Sequence, residues 1–479
     1  MKKRFISIFT VIILTLFTSS VFAENNDKKS NISPETYASL INQLYYFIQN
    51  YYVDEVDPEV LYEGAVKGML DSLGDPYSVY MDESAWRNIT DTTQGSFGGV
   101  GLMISKPVVS TEEKPAYVEV SQPIENTPGY KAGIQSGDLI ISINGTDTST
   151  ITMDEVLSKL RGPVGEEVTV TIRRRYVKDF DVTLKREVIE NVTVKYGMIG
   201  DYGYIRMTEF SKNTASRFVE AINSFKEQNY KGLIIDLRSN GGGLLNTAVN
   251  IADMFIDEGE IVSTKSRIQS ENQTFTASPA RTIVKNIPVV VLVNEYSASA
   301  SEILTAALKD TKKAYIIGTT TYGKGSVQLP SNLLNKDGFK MTIAKYYVPS
   351  GVNITGYGVH PDMEVDFDTF TEDEQKSLAK LYEDNKISTY VYNHPDMNDA
   401  DITSYAKTIA AEYNLSERIC KKLVKNEVYR TRPSELYDLE FDVQLNAAID
   451  FLKSGNYSAS MKKTTTVKQD NEKYGLKAK

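Results

Sequence analysis

Pro288-Val-Val-Val-Leu-Val-Asn-Glu-Tyr-Ser-Ala-Ser-Ala-Ser-Glu-Ile303 and Tyr322-Gly-Lys-Gly-Ser-Val-Gln328 are the segments from which the architecture of this chain is inferred. Val289–Val293 is a continuous apolar run, which predicts a strand buried on both faces of a parallel sheet. A helical pattern runs from Ala300 to about Lys309, and Ala314–Ile317 predicts a second strand. Such a strand–helix–strand crossover makes the two strands parallel, so both end at the same edge of the sheet.

Two residues that could take part in catalysis are predicted at that edge. Ser299 lies at the helix start and Lys324 in the loop after the second strand, where open α/β sheets bind ligands. A serine nucleophile needs a base, and a lysine with a pKa lowered by burial can serve as one. The chain has two histidines, His360 and His394, so a Ser-His-Asp triad has few candidates. The alternative is structural, because Ser299-x-x-Glu302 is also a helix-capping box.

The motifs Ser297-Ala-Ser-Ala-Ser-Glu-Ile303, Lys309-Asp310 and Tyr322-Gly-Lys-Gly-Ser-Val-Gln328 resemble those of the carboxyl-terminal processing peptidases, also called tail-specific proteases. The resemblance implies that Ser299 is the nucleophile and that Lys324, which follows 25 residues later, is the general base. It also implies that Gln328 orients the lysine. On a strand, positions 324 and 328 would face the same side.

A glycine-rich loop, Ser239-Asn-Gly-Gly-Gly243, follows another predicted buried strand, Gly232–Arg238. The family usually has Asn-Pro-Gly-Gly here. Backbone N–H groups in such a loop can approach a substrate carbonyl. We assign the oxyanion hole to the N–H groups of Gly242 and Ala300, with Gly243 as the alternative to Gly242. A tight loop without a catalytic role is the structural alternative.

Residues 93–185 resemble a PDZ domain, through Phe97-Gly-Gly-Val-Gly-Leu102 and Gly133-Ile-Gln-Ser-Gly-Asp-Leu-Ile-Ile-Ser-Ile-Asn-Gly145. The resemblance implies that Gly99, Val100, Gly101 and Leu102 bind the terminal carboxylate of a peptide that adds to the domain as a strand. A plain hairpin turn is the alternative.

Family members can use a PDZ arginine to sense substrate, which implies a regulatory role for Arg161. A solvated turn arginine is the alternative for Arg161.

The two ends of the chain differ in character from its middle. Residues 1–23 have a basic start, an apolar centre and small residues before Ala23, which predicts a secretory signal peptide, with a membrane anchor as the alternative. Residues 24–92 are predicted to be a helical region whose apolar stripe includes Leu40, Leu44 and Phe47, with homodimerisation as its role and packing on the main domain as the alternative. Residues 366–455 are predicted to be helical, and residues 456–479 a disordered tail.

Composition restricts the remaining classes of function. The chain has 479 residues, a net charge of −10 and one cysteine, which argues against a nucleic-acid partner, an internal disulfide and a cysteine-rich metal site. We expect an α/β fold with a crotonase-like (ClpP/crotonase) protease core at 186–365, an inserted PDZ domain and helical ends. The resemblance implies an exported endopeptidase, periplasmic or extracellular, that binds protein C-terminal tails and needs no cofactor or metal. The alternatives are a catalytically silent PDZ adaptor on the same scaffold and a crotonase-type acyl-CoA enzyme.

Overall fold

The computed structural model describes residues 32–107, 110–111, 115–334, 336–367, 370–430 and 435–474. They form two compact units that divide between Leu73 and Gly74. The predicted signal peptide lies outside the described residues. Within the described ranges, no helix is long and apolar enough to cross a membrane.

The first unit contains two helices, α1 (Pro34–Tyr51) and α2 (Pro58–Asp71). Each begins with proline in its first turn, behind a residue whose side chain accepts a backbone N–H bond: Ser33 for α1 and Asp57 for α2. The predicted apolar stripe of α1 is present but no residue of this helix is buried. The first unit therefore carries an exposed apolar surface.

The second unit carries the remaining elements. In chain order they are β1 (Val79–Met81), α3 (Glu83–Gln94), β2 (Ser96–Gly99), β3 (Leu102–Ser105), β4 (Val118–Pro123), α4 (Pro128–Lys131), β5 (Leu139–Ile143), β6 (Thr146–Asp147), α5 (Met153–Leu160), β7 (Glu167–Arg173), β8 (Phe180–Lys185), β9 (Glu187–Glu190), β10 (Val194–Ile199), β11 (Tyr202–Met207), α6 (Thr214–Glu227), β12 (Gly232–Asp236), α7 (Leu245–Ala252), β13 (Glu260–Ser266), β14 (Gln273–Thr276), β15 (Val289–Val293), α8 (Ala300–Asp310), β16 (Tyr315–Gly318), β17 (Ser326–Asn332), β18 (Gly338–Tyr347), β19 (Met363–Glu364), α9 (Glu372–Glu383), α10 (Lys386–Asn393), α11 (Asp399–Tyr413), α12 (Glu417–Tyr429), α13 (Val443–Lys453), α14 (Tyr457–Met461) and α15 (Val467–Tyr474).

The central sheet has the strand order β10-β11-β12-β15-β16-β19 and is parallel from β11 onward. Alternate residues of β15 enter two different hydrophobic clusters. Val289, Val291 and Val293 pack with α6, α7 and α8, whereas Val290 and Leu292 pack with α13. Burial on both faces explains the continuous apolar run of β15. The predicted strand and the parallel crossover through α8 are both confirmed.

A second sheet has the order β1-β18-β13-β14, with β17 on the other edge of β18. The PDZ sheet has the order β3-β4-β5-β7-β8, and β2 pairs with β9 where the chain enters and leaves this domain. The α/β core with a PDZ domain and helical ends is confirmed. One boundary is wrong, because β1 lies within residues 24–92, which we predicted to be helical, yet it pairs with β18 of the core. Three residues are too few for a recognisable strand pattern.

The prediction of a disordered tail is wrong for residues 457–474, which form α14 and α15. The N–H of Val467 donates to Asp310 Oδ1 at 2.7 Å. Lys309, 1% exposed, lies between Asp362 (2.7 Å) and Asp470 (3.1 Å). A buried lysine needs counter-charges, and this tertiary requirement orders a segment whose composition favours disorder. Residues 475–479 lie outside the described residues.

Candidate active site

Ser299 lies in a strained turn between β15 and α8. Its backbone has φ 56° and ψ −114°, a left-handed φ that is costly for a residue with a side chain. The turn is held by Ser297, whose Oγ donates to the Leu237 carbonyl at 2.9 Å and accepts the N–H of Asn294 at 2.9 Å. The chain therefore fixes this serine at the carboxyl edge of the central sheet, where the sequence predicts it.

The Glu302 carboxylate joins the Ser299 turn to the loop that carries Lys324. Its Oε2 accepts the N–H of Ser299 at 2.8 Å and the N–H of Lys324 at 2.9 Å. Its Oε1 accepts the Thr321 hydroxyl and the N–H of Gly323, both at 2.6 Å. The contact with Ser299 belongs to the predicted capping box, but the other three extend well beyond helix capping. One side chain therefore positions both predicted catalytic segments.

The surroundings of Glu302 are apolar enough to disfavour its charge. Burial raises the pKa of Glu302 to about 7, although the hydrogen bonds from Thr321 and from the backbone of Lys324, Gly323 and Ser299 act to lower it.

Tyr346 adds a second connection between the segments of Ser299 and Lys324. Its hydroxyl donates to the Lys324 carbonyl at 2.6 Å and lies 3.4 Å from the Ser299 carbonyl.

Lys324 is half-buried in the loop after β16. Burial lowers the pKa of Lys324, and the positive charge of Lys340 lowers it further. The carboxylates of Glu302 and Asp75 act in the opposite direction. The net lowering is the shift that a lysine general base requires.

The Lys324 ammonium points at an aromatic ring in this structure. Its Nζ lies 4.8 Å from the centroid of the Tyr77 ring, and the Tyr77 hydroxyl donates to the hydroxyl of Tyr322 at 3.4 Å. Among the described residues, Nζ makes no hydrogen bond with Ser299 or with Gln328. The predicted nucleophile and base therefore share one site without being engaged.

Gln328 lies on β17, next to a bulge between Val327 and Gln328. Its amide donates to Ser326 Oγ at 2.9 Å and to Thr342 Oγ1 at 3.3 Å. The alternation argument that linked positions 324 and 328 is wrong, because β17 begins at Ser326, after Lys324. Gln328 is near the lysine loop but bonds to neighbours on the sheet.

Gly242 of the glycine-rich loop lies directly against the serine turn. A Cβ at this position would come within 2.8 Å of Ser299 Cβ and 2.9 Å of the Ala300 nitrogen, and φ is +105°, so only glycine fits. The N–H of Gly242 is already bonded to Asn240 Oδ1 at 2.9 Å. Among the described residues, the N–H groups of Ala300 and Gly243 have no such partner.

A buried ionic cluster precedes this loop. Asp236, fully buried at the end of β12, accepts hydrogen bonds from Arg238 (2.6 Å), Arg206 (2.7 Å) and the Tyr204 hydroxyl (2.8 Å). Burial by itself would raise the pKa of Asp236, but the two guanidinium groups and the tyrosine hold it below its ordinary value. Arg238 also binds Asp442 at 2.7 Å, which attaches α13 to the base of the glycine-rich loop.

The predicted carboxylate-binding loop, Gly99 to Leu102, leads into β3. Gly99, Val100 and Gly101 are buried, and Gly101 has φ +71°. A Cβ on Gly101 would lie 2.2 Å from the Thr127 side chain. Among the described residues, β3 pairs only with β4 in the PDZ sheet, so its other edge has no partner strand there. A loop followed by an open strand edge is the geometry that strand addition requires.

Arg161 follows α5 and is not a solvated turn residue. It donates to Asn88 Oδ1 at 2.9 Å and Asp91 Oδ2 at 3.2 Å, both on α3, and lies 4.4 Å from the Phe97 ring centroid. α3 also carries Trp86, whose ring covers Gly338 of β18. Arg161 therefore attaches the PDZ domain to a helix that contacts the second core sheet.

Sequence reasoning missed four residues of this site: Glu302, Tyr77 and the Asp236–Arg238 pair. Glu302 was interpreted only as half of a capping box, although its spacing from Ser299 was the available signal. Tyr77 lies in a segment with no local chemical motif. Asp236 and Arg238 were included in a predicted strand, and two charges at the end of an apolar run were the signal that could have indicated a buried ion pair.

Three family profiles match this chain: Peptidase family S41 over residues 201–365, a PDZ domain over 119–174, and the N-terminal domain of the activating protease CtpB over 15–85. The carboxy-terminal-processing protease of Bartonella bacilliformis is 38% identical over 344 residues, which cover 70% of this chain and 77% of the relative. The carboxy-terminal processing protease CtpA of Bacillus subtilis is 30% identical over 448 residues, 92% of this chain and 88% of the relative. Among solved structures, the photosystem II D1 C-terminal processing protease is 28% identical with a TM-score of 0.41, covering 70% of this chain and 94% of that chain.

Proposed function

Because this chain belongs to the carboxy-terminal processing proteases of peptidase family S41, we propose that it cleaves peptide bonds with Ser299 as nucleophile and Lys324 as general base. The observation that carries this proposal is the Glu302 carboxylate, which accepts the N–H of Ser299 and of Lys324 at once. Two residues 25 positions apart are thus tied to one buried group. The lowered pKa of Lys324 also supports a role as a neutral base.

The reaction follows from these groups. Neutral Lys324 takes the proton of Ser299 Oγ as the oxygen attacks the scissile carbonyl carbon. The ammonium then protonates the leaving amine, and water hydrolyses the acyl-enzyme with Lys324 again as base. Before the first step, Nζ has to leave the Tyr77 ring, and we propose that Gln328 holds it in the engaged position.

The oxyanion of the tetrahedral intermediate needs N–H donors beside Ser299. We propose the N–H of Ala300 as one donor, since it is unpaired among the described residues. Gly242 remains our proposal for the second, and its bond to Asn240 Oδ1 has to open first. Gly243 is the alternative second donor.

We further propose that the PDZ domain captures protein C-terminal tails. The terminal carboxylate binds the N–H groups of the loop from Gly99 to Leu102, and the tail pairs with the free edge of β3. Arg161, which bridges the PDZ domain and α3, is proposed to transmit tail binding to the core.

The remaining proposals concern location and assembly. The pattern of residues 1–23 supports export to the periplasm or the extracellular space, with no cofactor needed for the chemistry. The exposed apolar residues of α1, such as Leu40, Leu44 and Phe47, support a homodimer through the N-terminal helices. Sedimentation equilibrium of residues 24–479 tests this assembly, and a monomer at micromolar concentration contradicts it.

The test of function uses residues 24–479 as wild type and as the Ser299→Ala, Lys324→Ala and Arg161→Ala variants. Each is incubated with an unfolded protein that ends in small apolar residues and with the same protein amidated at its C-terminus. We expect cleavage by wild type, loss of cleavage in Ser299→Ala and Lys324→Ala, and slower cleavage of the amidated substrate.

Each part of the proposal has its own contrary result. Cleavage that survives Ser299→Ala or Lys324→Ala contradicts the assigned chemistry. Equal cleavage of both substrates contradicts tail capture, and full activity of Arg161→Ala contradicts its regulatory role. Tail binding without any cleavage by wild type favours the PDZ adaptor.

A further inference from the structure

The contact between Lys324 and Tyr77 is the feature that the reaction described above does not use. Nζ lies 4.8 Å from the ring centroid, within the range of a cation–π interaction. Among the described residues no carboxylate forms an ion pair with this ammonium, and no side chain accepts a hydrogen bond from it. The ring face is thus the direct partner of the charged lysine.

Tyr77 is held rigidly in place. The Asp75 carboxylate accepts the N–H of Tyr77 at 3.1 Å and the Ser78 hydroxyl at 2.6 Å. Ser78 Oγ in turn accepts the N–H of Thr342 on β18 at 3.0 Å. At the other end of the ring, the phenol donates to Tyr322. The backbone of Tyr77 is therefore held to β18 through Asp75 and Ser78, and the long phenol contact adds a weaker link to the loop of Lys324.

The phenol of Tyr77 stays neutral across the working range of a protease. Burial and the contact with Tyr322 raise the pKa of Tyr77 to about 12. Three charged groups act on the pKa of Lys324: Lys340 from β18, Glu302 from α8 and Asp75 from the turn before β1. None of the three touches the ammonium, so each acts at a distance while the ring acts in contact.

We propose that Tyr77 is a positioning residue that holds the Lys324 ammonium on its ring face, out of hydrogen-bonding contact with Ser299. The proposal rests on Lys324 being the general base. Because a ring face binds the ammonium and not the neutral amine, the contact raises the pH above which the lysine is released for catalysis. Tyr77 thereby regulates the transition from the arrangement seen here to the engaged one.

Removing the aromatic ring of Tyr77 is expected to lower the pKa of Lys324. In Tyr77→Leu the protonated lysine loses its partner, so the pKa of Lys324 falls by roughly 0.4 to 1.5 units. The acid limb of kcat/KM for tail cleavage moves to lower pH by the same amount, since the base must be neutral. Tyr77→Phe keeps the ring and is expected to leave the limb in place, as is Tyr322→Phe, which removes only the hydroxyl partner.

A direct measurement separates Lys324 from Glu302, whose ionisation also shapes the acid limb. Ser299→Ala protein with ¹³C-labelled lysine is titrated by NMR, and the Lys324 Cε resonance is assigned from its absence in Ser299→Ala/Lys324→Arg. The titration is repeated with Tyr77→Leu, Tyr77→Met and Tyr77→Phe added. Trp86 fluorescence confirms folding, and Tyr77→Met provides a second ringless variant if Tyr77→Leu does not fold.

A lower Lys324 pKa in the ringless variants, with Tyr77→Phe unchanged, supports the proposal. An unchanged or raised pKa in the ringless variants overturns it, and so does an equal fall in Tyr77→Phe. Failure of the proposed function gives a different experimental result, because Lys324→Ala would then retain cleavage. The two hypotheses can therefore fail independently.

Discussion

Replacing Ser299 with alanine and with glycine separates the cost of its backbone conformation from the use of its hydroxyl. Both variants lack Oγ, so both are expected to lose cleavage. They differ in backbone freedom, because alanine must keep φ near 56° and glycine adopts it without strain. The difference in their free energies of unfolding therefore reports the strain at this position, less the conformational entropy that glycine gains in the unfolded chain.

The magnitude follows from two opposing effects. A strained left-handed residue costs about 1–3 kcal/mol, and the greater freedom of unfolded glycine costs about 0.4–1 kcal/mol. Ser299→Gly is thus expected to be more stable than Ser299→Ala by about 1 kcal/mol. Ser224 in the last turn of α6 is the matched control, since its backbone is helical. There the glycine variant is expected to be less stable than the alanine variant by about 1 kcal/mol.

The assay is equilibrium denaturation followed by the single tryptophan, Trp86, whose ring covers Gly338 of β18. It reports on the core. A Ser299→Gly protein that is less stable than Ser299→Ala, with the usual order at Ser224, would refute the conclusion that this turn is strained. A stable glycine variant that still cleaves would contradict the role of the hydroxyl.

Two further changes test the contacts around α8. Glu302→Gln places an NH₂ group against N–H donors, and we expect kcat/KM to fall about 10- to 150-fold, from the loss of one charged hydrogen bond. Because the carboxylate accepts all four bonds only when ionised, wild-type cleavage should also fall as pH drops through about 7, and full activity of the amide variant would contradict this role. Asp470→Asn weakens the pairing of buried Lys309 and is expected to lower the free energy of unfolding by about 1.5–3 kcal/mol. Hydrogen exchange in α15 should accelerate, and an unchanged exchange rate would show that the ion pair does not hold this helix.

The repeating parts of the fold could be predicted because each is determined locally. The five apolar residues of β15 and the helical pattern after Ser299 are visible within short windows of sequence. The contacts of Glu302 are not visible in this way, because three of its four donors come from Thr321, Gly323 and Lys324. The distance of these donors from Glu302 depends on how the loop after β16 folds back against α8. The placement of Gln328 failed for a similar reason, since neither the start of β17 nor its bulge follows from alternation.

The C-terminal helices show a second limit. Residues 456–479 are polar, and composition alone favours disorder. Nothing near Asp470 indicates that its partner is Lys309, which is buried on a helix far earlier in the chain. Prediction from local pattern misses an element whose stability comes from a distant charge.

The dependence of the central sheet on α13 determines when this protein can fold during synthesis. One face of the sheet presents Val290, Leu292 and Ile317 to a layer that includes Leu445 and Ile449 of α13. A ribosome completes the strands long before it has made that layer, so the nascent sheet has an uncovered apolar face. Folding of the core must wait for nearly the whole chain, and products truncated before α13 are expected to aggregate or be degraded.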